Sequence, residues 1–472
     1  MPILQRSTLC LLPALLAAQT YDIVLQRGRV IDPESGLDGI RDVAITGKKI
    51  AAISTTRLRG KTEIDATGLV IAPGFIDLHS HGQTPENYRY KAMDGVTTAL
   101  ELEVGVYPAG EWYAARTGKS LIHFGASSGH IPARMAIMKD TGVFLPRDAA
   151  TNRPASSGEQ KSIRAAIEKG LDEGALGMGL GLTYTPTTTA EETLDLFHLM
   201  AKWKRPVFVH VRNTGLSSPG IIESLQEMIA DAAISGAPLH IVHINSSSLK
   251  KTPEAIRVIE GARARGLDIT TEAYPYIAGA TGLESAQFEP GWQQKKGLSY
   301  SDLMWAATGV RLTAESFERY RKQGGIVIVF QNTEEMVRAA IAHPLAMIAS
   351  DGIMENGKGH PRAAGTYARI LGRYVREQKA LSLTDAIRKS SLMPALRLET
   401  MSPQMRQKGR LKTGADADIA VFDSQRVIDK ATFENPAQYS EGFRHVLVEG
   451  TFVVRDGKLE DGVMPGQGIR AK

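Results

Sequence analysis

The sequence predicts an α/β protein: a (β/α)8 barrel of the TIM type with a small β-sandwich domain formed from both chain ends. Strand-like and helical segments alternate through the middle of the chain, whereas both ends carry only short β-rich runs. With 472 residues, of which 43% are hydrophobic and 23% charged, the chain is long enough for a barrel and a smaller partner domain.

The two chain ends share one character. From Tyr21 to about Gly74 the runs YDIVLQRGRVID, DVAITGKKIAAI and GLVIAPGFID are separated by turn residues, and ADIAVFD and HVLVEGTFVV repeat the pattern near the C-terminus. We therefore expect residues 20–73 and 408–472 to form the small β domain, with the barrel, residues 74–407, inserted between its halves.

The middle of the chain supplies the barrel strands. Helical spacing is clear in EETLDLFHLMAKW and TPEAIRVIEGARARG. Nine strand candidates alternate with such segments, one more than a barrel needs: FIDLHSH, TTALELEV, LIHFGAS, ALGMGLGL, PVFVHVR, LHIVHIN, DITTEAYPY, IVIVF and LAMIASDG. An open doubly wound sheet also fits this alternation. Residues 286–323 are richer in Gln, Lys and Trp and are interpreted as an elaboration of one barrel loop.

The first 19 residues are predicted to be a secretory signal. Arg6 precedes an apolar stretch from Leu9 to Leu16, and the small residues Ala17 and Ala18 follow it. A buried N-terminal strand or helix is the alternative. The signal indicates a periplasmic or secreted protein, and nothing else in the sequence reaches the roughly 20 apolar residues of a membrane span.

The composition limits which residues could bind a metal and which kinds of partner the protein could have. The only cysteine, Cys10, lies in the predicted signal, so a metal would have to be held by His, Asp and Glu. Lys and Arg number 56 against 51 Asp and Glu, with no basic run that could follow a phosphate backbone. A nucleic-acid partner is therefore not expected, and a small molecule is the expected substrate. Oligomeric state is not readable from the sequence.

Several candidate metal ligands follow strand-like runs. His79 and His81 are two residues apart after IAPGFIDL, so both imidazoles leave that strand on one face. Glu101 and Glu103 are embedded in the apolar run TTALELEV, where an unpaired carboxylate would cost several kcal/mol. Each motif alone also has an ordinary structural interpretation, a surface His pair or an acid paired with a neighbouring helix.

Three further candidates lie near the ends of later strands. His210 in PVFVHVRN and His243 in LHIVHIN each follow β-branched runs, and Asp351 ends the run AMIAS. Barrel enzymes place their active sites at the C-terminal ends of the strands. His240 does not share a face with His243 and is interpreted as structural. The ordered set favours a divalent cation at this end of the barrel.

Taken together, these motifs resemble the amidohydrolase superfamily of metal-dependent hydrolases. Longer blocks resemble its N-acyl-D-amino-acid deacylase branch: EGALGMGLGLTYTP, EAYPYIAGAT, SDGIMENGKGHPRAAGTYARILGRYVRE and ENPAQYSEGFRHVLVEG. The likeness extends from Tyr21 to Gly466.

The resemblance implies one or two zinc or similar divalent ions. One would be held by His79, His81 and Asp351, a second by His210 and His243, with an acid bridging them. The branch usually has a cysteine where this chain reads Glu101, Leu102, Glu103, Val104. Glu103 is chosen as the bridge because it is nearer the C-terminal end of the strand, with Glu101 as the rival.

The resemblance also implies substrate-binding residues. Arg362 in HPRAAGTY matches the position that binds the substrate α-carboxylate, and Tyr274 and Tyr184 match pocket-lining tyrosines. Asn245 and Ala280 depart from the lysine and serine frequent in the branch, which leaves the side-chain preference open. His130 matches a Gly-His block and is assigned at most a supporting role outside the ligand set.

The function this implies is hydrolysis of the amide bond of N-acyl amino acids, those of D configuration in particular, by a metal-activated water. Asp351 would accept the water proton and return it to the departing nitrogen. The alternatives are a cyclic-amide hydrolase of dihydroorotase or hydantoinase type, a dipeptidase, and a catalytically inactive binding protein on the same fold.

Overall fold

A computed structural model describes residues 20–215 and 218–472, so the predicted signal lies outside the described residues. Eight strands form one sheet in sequential order, and the seven pairs between neighbours are parallel. An isolated bridge between Ser80 and Gly352 joins the first strand to the last. The barrel strands are Phe75–Asp77, Val96–Val106, His123–Gly129, Met178–Gly181, Val207–His210, Leu239–Ile241, Ile269–Ala273 and Ala346–Ile348. The predicted barrel fold is confirmed.

Helices follow most of these strands. In Ser157–Asp172, Ser156 and Glu159 form a capping box, and Ile163, Ile167 and Leu171 recur at four-residue spacing on the buried face. The other α-helices are Pro85–Met93, Ala109–Arg116, His130–Met138, Ala149–Asn152, Ala190–Trp203, Ile221–Ser235, Ile244–Ser248, Thr252–Arg263, Trp292–Lys296, Ala314–Gln323, Glu334–Ala342, Arg362–Arg369, Leu383–Ser390 and Leu392–Leu398. Short 3-10 turns at Leu249–Lys251, Ala286–Phe288, Tyr300–Asp302 and Pro403–Gln407 and a π-helix at Ile370–Glu377 complete the helical elements of the described residues.

Both chain ends contribute to one nine-stranded, mostly antiparallel sheet. Val70–Pro73 joins them, because it pairs with Tyr21–Asp32 on one side and with Ile419–Phe422 on the other. The remaining strands are Leu37–Thr46, Lys49–Ser54, Gly60–Asp65, Phe443–Val448, Thr451–Arg455 and Lys458–Leu459. The chain ends thus form one β structure, as expected, and its strands belong to a single hydrogen-bonded sheet. The exact domain limits stay a prediction.

One strand candidate does not belong to the barrel. Ile326–Phe330, the run IVIVF, pairs antiparallel with Ala278–Gly282 and Leu303–Trp305 in a separate four-stranded sheet that also includes Val310–Arg311. This sheet follows the seventh barrel strand and packs on its own apolar cluster, so its strands are as apolar as barrel strands. The predicted elaboration, residues 286–323, lies within this unit. A small hairpin, Met354–Glu355 with Lys358–Gly359, follows the eighth barrel strand.

None of the helices in residues 20–215 and 218–472 has the length and hydropathy of a membrane span.

A buried ionic cluster joins the end sheet to the barrel. Lys408 Nζ lies 2.9 Å from Asp416 Oδ2 and 2.7 Å from Asp418 Oδ2, and it is 3.0 Å from the Nε2 atom of His123 on the third barrel strand. The neighbouring carboxylates outweigh burial and raise the pKa of Lys408. Removing one partner of such a cluster leaves buried charges uncompensated.

We predict that Lys408→Met lowers the free energy of unfolding by about 3–5 kcal/mol, because Asp416 and Asp418 lose their buried cation. The matched control is Lys48→Met, which removes an exposed ion pair with Glu449 and should cost less than about 1 kcal/mol. The urea midpoint followed by circular dichroism measures both. Equal midpoints for the two variants would show that the buried cluster contributes nothing.

Candidate metal centre

The ends of the first and eighth barrel strands are held against each other by backbone hydrogen bonds. The amide of Asp351 donates to the carbonyl oxygen of His79 at 2.7 Å, and the amide of His81 donates to that of Gly352 at 3.1 Å. Asp351 adopts a left-handed φ of 53°, which a non-glycine residue rarely does. These contacts place two histidines and one aspartate at one point of the barrel mouth.

Four side chains meet there, those of His79, His81, Glu103 and Asp351, with ligand atoms all within 4.8 Å of one another. Glu103 Oε2 lies 3.0 Å from His79 Nε2 and 3.1 Å from His81 Nε2. Asp351 Oδ1 lies 3.4 Å and 3.3 Å from the same two nitrogens. We call these four residues the first ligand group.

Glu103 also belongs to a second ligand group, with His210 and His243. Its other oxygen, Oε1, lies 2.5 Å from His210 Nδ1 and 3.4 Å from His243 Nε2. His210 is the last residue of the fifth barrel strand, and His243 follows the sixth with a φ of 30°. One carboxylate therefore faces both groups, one oxygen to each.

Hydrogen bonds on the far side of the rings fix three of the imidazoles. Glu272 Oε1 lies 2.5 Å from His79 Nδ1, Glu101 Oε2 lies 2.8 Å from His81 Nδ1, and Ser247 Oγ lies 3.1 Å from His243 Nδ1. A carboxylate at Nδ1 favours the tautomer with the proton on that nitrogen, which leaves a lone pair on Nε2.

This arrangement has a clear electrostatic consequence. Two imidazole lone pairs and two carboxylate oxygens of the first ligand group face one another at 3.0–3.4 Å, away from bulk water. Such a contact is repulsive unless a positive charge lies between the acceptors. Nitrogen and carboxylate donors in this number suit zinc and similar divalent ions. The residues present therefore fit a divalent cation in each group.

The pKa shifts agree with this need for positive charge. Burial lowers the pKa of His79, yet the value is raised to about 10 by the three carboxylates around it, those of Asp351, Glu272 and Glu103. Burial raises the pKa of Glu103, but His79 and His210 lower it well below its usual range. In the second group, burial and the neighbouring His243 lower the pKa of His210 to about 4, which keeps its imidazole neutral as a ligand must be.

The structure separates the two glutamates of the second strand by position. Glu103 belongs to both ligand groups. Glu101 is instead hydrogen-bonded to Nδ1 of His81 and accepts from the amide of Gly105 at 3.3 Å. Sequence reasoning missed Glu272, which lies on the seventh barrel strand and bonds His240 Nε2 at 3.2 Å as well as His79. An acid embedded in the strand-like run DITTEAYPY was the available signal.

A cavity of about 290 Å³ opens beside the ligand groups and includes the predicted substrate residues Tyr184, Tyr274 and Arg362 in its wall. Arg362 is buried, its Nη2 lies 2.9 Å from Asp351 Oδ2, and its guanidinium carbon lies 4.5 Å from the centre of the Tyr274 ring. Among the described residues, the Nε and Nη1 atoms of Arg362 and the hydroxyl of Tyr274 have no hydrogen-bond partner. Tyr184 accepts a hydrogen bond from Thr281 at 3.3 Å.

The other histidines considered above lie outside the ligand groups. His240 bonds Thr270 Oγ1 at 2.7 Å as well as Glu272, so it supports the acid that holds His79. His130 is bonded to Glu192, which also accepts two hydrogen bonds from Arg134.

Comparison with known proteins agrees with this architecture. The family model described as the amidohydrolase family matches residues 62–255 and 223–454, which together span most of the chain. The chain belongs to the amidohydrolase family.

Among curated amidohydrolase relatives, N-acyl-D-glutamate deacylase of Alcaligenes xylosoxydans xylosoxydans is 28% identical over 474 residues, covering 92% of this chain and 94% of its own. D-aminoacylase of the same organism is 28% identical over 480 residues with the same coverage. The solved structure of N-acyl-D-glutamate deacylase from Bordetella bronchiseptica, complexed with zinc and a phosphonate inhibitor, superimposes with a TM-score of 0.81 at 24% identity, over 96% of this chain and 100% of that one.

We predict that Glu103→Gln lowers divalent-ion affinity of both groups at least 100-fold, whereas Glu101→Gln weakens it by about 10–100-fold with full occupancy at saturation. The reason is that Glu103 faces both groups and Glu101 only orients His81. Elemental analysis after dialysis, together with competition against a chromophoric chelator, measures content and affinity.

Glu192→Gln is the matched control, because Glu192 is a buried acid whose hydrogen bonds go to His130 and Arg134. Its metal affinity should equal that of the unmodified protein. Loss of bound metal in Glu101→Gln but not in Glu103→Gln would instead assign the bridge to Glu101.

Proposed function

We propose that this protein is a zinc-dependent hydrolase that cleaves the amide bond of N-acyl amino acids, those of D configuration in particular. The observation that carries the proposal is the carboxylate of Glu103 that two ligand groups share, beside a cavity lined by Arg362, whose Nε and Nη1 atoms have no partner among the described residues. The curated relatives covered along nearly their whole length are a deacylase of N-acyl-D-glutamate and a D-aminoacylase, which supports this substrate class.

The ligand set explains why an amide could be hydrolysed at neutral pH. When bound, a divalent ion lowers the pKa of its water from about 16 toward 7 and polarises a carbonyl oxygen. Glu103 and four histidines would hold such ions, and the carboxylates of Glu101 and Glu272 keep the Nε2 atoms of His81 and His79 turned toward the ligand groups.

Asp351 is the residue placed to move the proton. Its Oδ1 faces the two histidines of the first ligand group, His79 and His81, while its Oδ2 accepts from Arg362. Burial raises the pKa of Asp351, but Arg362 and His79 lower it well below the usual range, so the group is a carboxylate at neutral pH. It can accept the proton of the attacking water and return it to the nitrogen that leaves.

Arg362 is the residue placed to hold the free carboxylate of the substrate. Asp351 occupies one of its terminal nitrogens, and Nε and Nη1 remain unpartnered in a buried position. A carboxylate in the cavity would accept a charge-assisted hydrogen bond from one of these two nitrogens, which lie on different edges of the guanidinium. Tyr274, whose ring lies under the guanidinium, offers an unpartnered hydroxyl to the same ligand.

A cyclic-amide hydrolase is the second candidate. Allantoinase relatives are 26% identical, but over 57% of this chain and 61% of their own. The deacylase relatives extend over 92% of this chain. The free guanidinium edge of Arg362 also favours a substrate with a free carboxylate.

We further propose that residues 1–19 direct export to the periplasm or the medium, on the layout of Arg6, the apolar stretch and the alanines that follow it. N-terminal sequencing of the exported protein tests this: a protein that still begins at Met1 would show that residues 1–19 are not a cleaved signal.

The test of the proposed function is a turnover screen with quantified metal. The purified protein is assayed on paired N-acetyl-D- and N-acetyl-L-amino acids, with dihydroorotate, hydantoins and dipeptides beside them. We expect release of D-amino acids that stops on chelation and returns with zinc. Activity on cyclic amides or dipeptides alone would contradict the substrate class, and no turnover with full metal would favour a binding protein.

We predict that Asp351→Asn lowers kcat by about 100–10,000-fold while the second ligand group keeps its metal, because the side-chain amide of asparagine cannot accept the water proton. Single-turnover kinetics and metal content are the measurements. Glu355→Gln is the control: this acid lies in the wall of the same cavity and belongs to neither ligand group. A near-normal kcat for Asp351→Asn would assign proton transfer to another residue.

A further inference from the structure

An apolar loop lies at the rim of the cavity beside the ligand groups. Val143, Phe144 and Leu145 follow the helix His130–Met138, and all three line the cavity. Leu145 is buried, whereas Phe144 is 40% and Val143 is 97% exposed. Of the large hydrophobic side chains that are exposed in the described residues, only Val143 and Phe144 line this cavity. We call residues 143–145 the apolar tip.

Two aspartates fix the base of this loop. The Asp140 carboxylate accepts hydrogen bonds at 2.8–3.1 Å from four backbone amides, those of Gly142, Arg147, Asp148 and Ala150. The Asp148 carboxylate accepts from the amide of Thr141 at 3.2 Å and from its hydroxyl at 2.6 Å. The loop is therefore held in place before a ligand binds, with Val143 directed out of the core.

Phe144 connects the apolar tip to the first ligand group. The centre of its ring lies 5.4 Å from that of His81, in an edge-to-face arrangement. Val143, the preceding residue, is open to solvent. The apolar tip thus reaches from a candidate metal ligand to the open rim of the cavity.

The first ligand group separates the apolar tip from Arg362. The loop follows the third barrel strand and its helix, whereas Tyr274 follows the seventh strand and Arg362 the eighth. In a ring of eight strands, the third and the seventh face each other across the barrel axis. The contacts agree, because Arg362 is paired with Asp351 while Phe144 packs against His81.

This placement gives a bound N-acyl amino acid a direction. The acyl chain and the α-carboxylate are attached on opposite sides of the amide that is cleaved. With the amide at the ligand groups and the α-carboxylate at Arg362, the acyl chain points away from Arg362, toward the apolar tip. The valine, phenylalanine and leucine of the tip offer methyl and ring surface, which suits methylene groups.

The charged side chains of the cavity wall have other positions. Arg147, in the same loop, directs its guanidinium to the inserted sheet unit, where Nη2 donates to the carbonyl oxygen of Lys322 at 3.4 Å. Glu284 and Lys296 belong to that unit, and Glu355 belongs to the hairpin after the eighth barrel strand. The apolar tip itself therefore carries no charge.

The size of the exposed apolar surface favours a ligand chain over a protein partner. A stable protein interface takes roughly 20–30 residues from each side. The apolar tip exposes two large hydrophobic side chains, and both of them line the cavity. A chain that leaves the ligand groups along the cavity wall would cover these two side chains.

We propose that the apolar tip binds the acyl chain of the substrate, so that the preferred substrates carry a linear apolar acyl group longer than acetyl. The proposal rests on the proposed deacylase function and adds the class of acyl group to it. Val143 and Phe144 are the residues that determine this specificity.

A chain-length series tests the proposal. N-acetyl, N-butanoyl and N-hexanoyl derivatives of one D-amino acid, the best substrate of the turnover screen, are compared in kcat/KM. We expect the N-hexanoyl substrate to exceed the N-acetyl substrate by about 10–100-fold, since each methylene that becomes partly buried contributes about two- to fourfold. The gain should lie mainly in a lower KM, because the chain is remote from the bond that is cleaved.

In Val143→Ser we expect the hexanoyl-to-acetyl ratio to fall by about three- to tenfold, because the two methyl groups are lost. Val143→Leu should keep the ratio, which a requirement for this backbone alone would not explain. Both variants should fold normally, since the Val143 side chain is almost wholly exposed. Val310→Ser is the matched control: Val310 is 61% exposed, lies in the strand Val310–Arg311 and is not part of the cavity wall. It should keep the full ratio.

Three results would overturn the proposal while leaving the deacylase function intact. One is an unmodified enzyme that hydrolyses the N-acetyl substrate as well as the N-hexanoyl substrate or better. Another is a ratio that survives in Val143→Ser. The third is a Val143→Ser variant that changes only the preference between N-acetyl-D-leucine and N-acetyl-D-alanine, which would assign the tip to the amino-acid side chain.

Two further measurements identify another occupant if the ratio survives. Light scattering would show a dimer that Val143→Ser dissociates, if a second copy of the chain covers the tip. Co-sedimentation with phosphatidylcholine vesicles that Val143→Ser abolishes would assign the tip to a lipid surface. Either result contradicts the proposal. Absence of hydrolysis across the whole series, with metal bound, would instead overturn the proposed function and this assignment with it.

Discussion

The candidate ligands at the barrel mouth are arranged around one buried carboxylate, that of Glu103. Its two oxygens face separate groups of acceptors, and each group is stable only if a cation balances it. The first, second, fifth, sixth and eighth barrel strands all end where their side chains can reach these points. The eightfold parallel arrangement is therefore what brings together residues separated by up to 272 positions, from His79 to Asp351.

A second layer of buried polar contacts keeps these side chains in place. Asp77 accepts hydrogen bonds from the amide of Ser350 at 3.0 Å and from its hydroxyl at 2.6 Å, and Lys91 lies 2.8 Å from the same carboxylate. This network closes the barrel between its first and last strands, directly below His79 and Asp351. The network is buried and hydrogen-bonded, and such contacts orient ligand side chains, as metal binding and proton transfer require.

Much of the fold and of the ligand set could be predicted from sequence because both follow from local patterns. Strand-like runs that end in His or Asp indicate the C-terminal mouth of a barrel, and an acid inside an apolar run indicates a buried partner. The run IVIVF was a candidate barrel strand but belongs to a separate sheet. An apolar five-residue strand has the same sequence pattern in a barrel and in a separate buried sheet. Glu272 was not predicted as part of the site because its partners, His79 and His240, come from other strands. The pairing of Arg362 with Asp351 is a three-dimensional fact that no spacing reveals.

The central claim is that two cation sites share the carboxylate of Glu103. Anomalous difference maps from crystals grown with zinc, collected on both sides of its absorption edge, test it directly. We expect two peaks about 3.5–4 Å apart, one on each side of the Glu103 carboxylate. A single peak that Glu103 does not contact, or peaks only outside the two ligand groups, would contradict it.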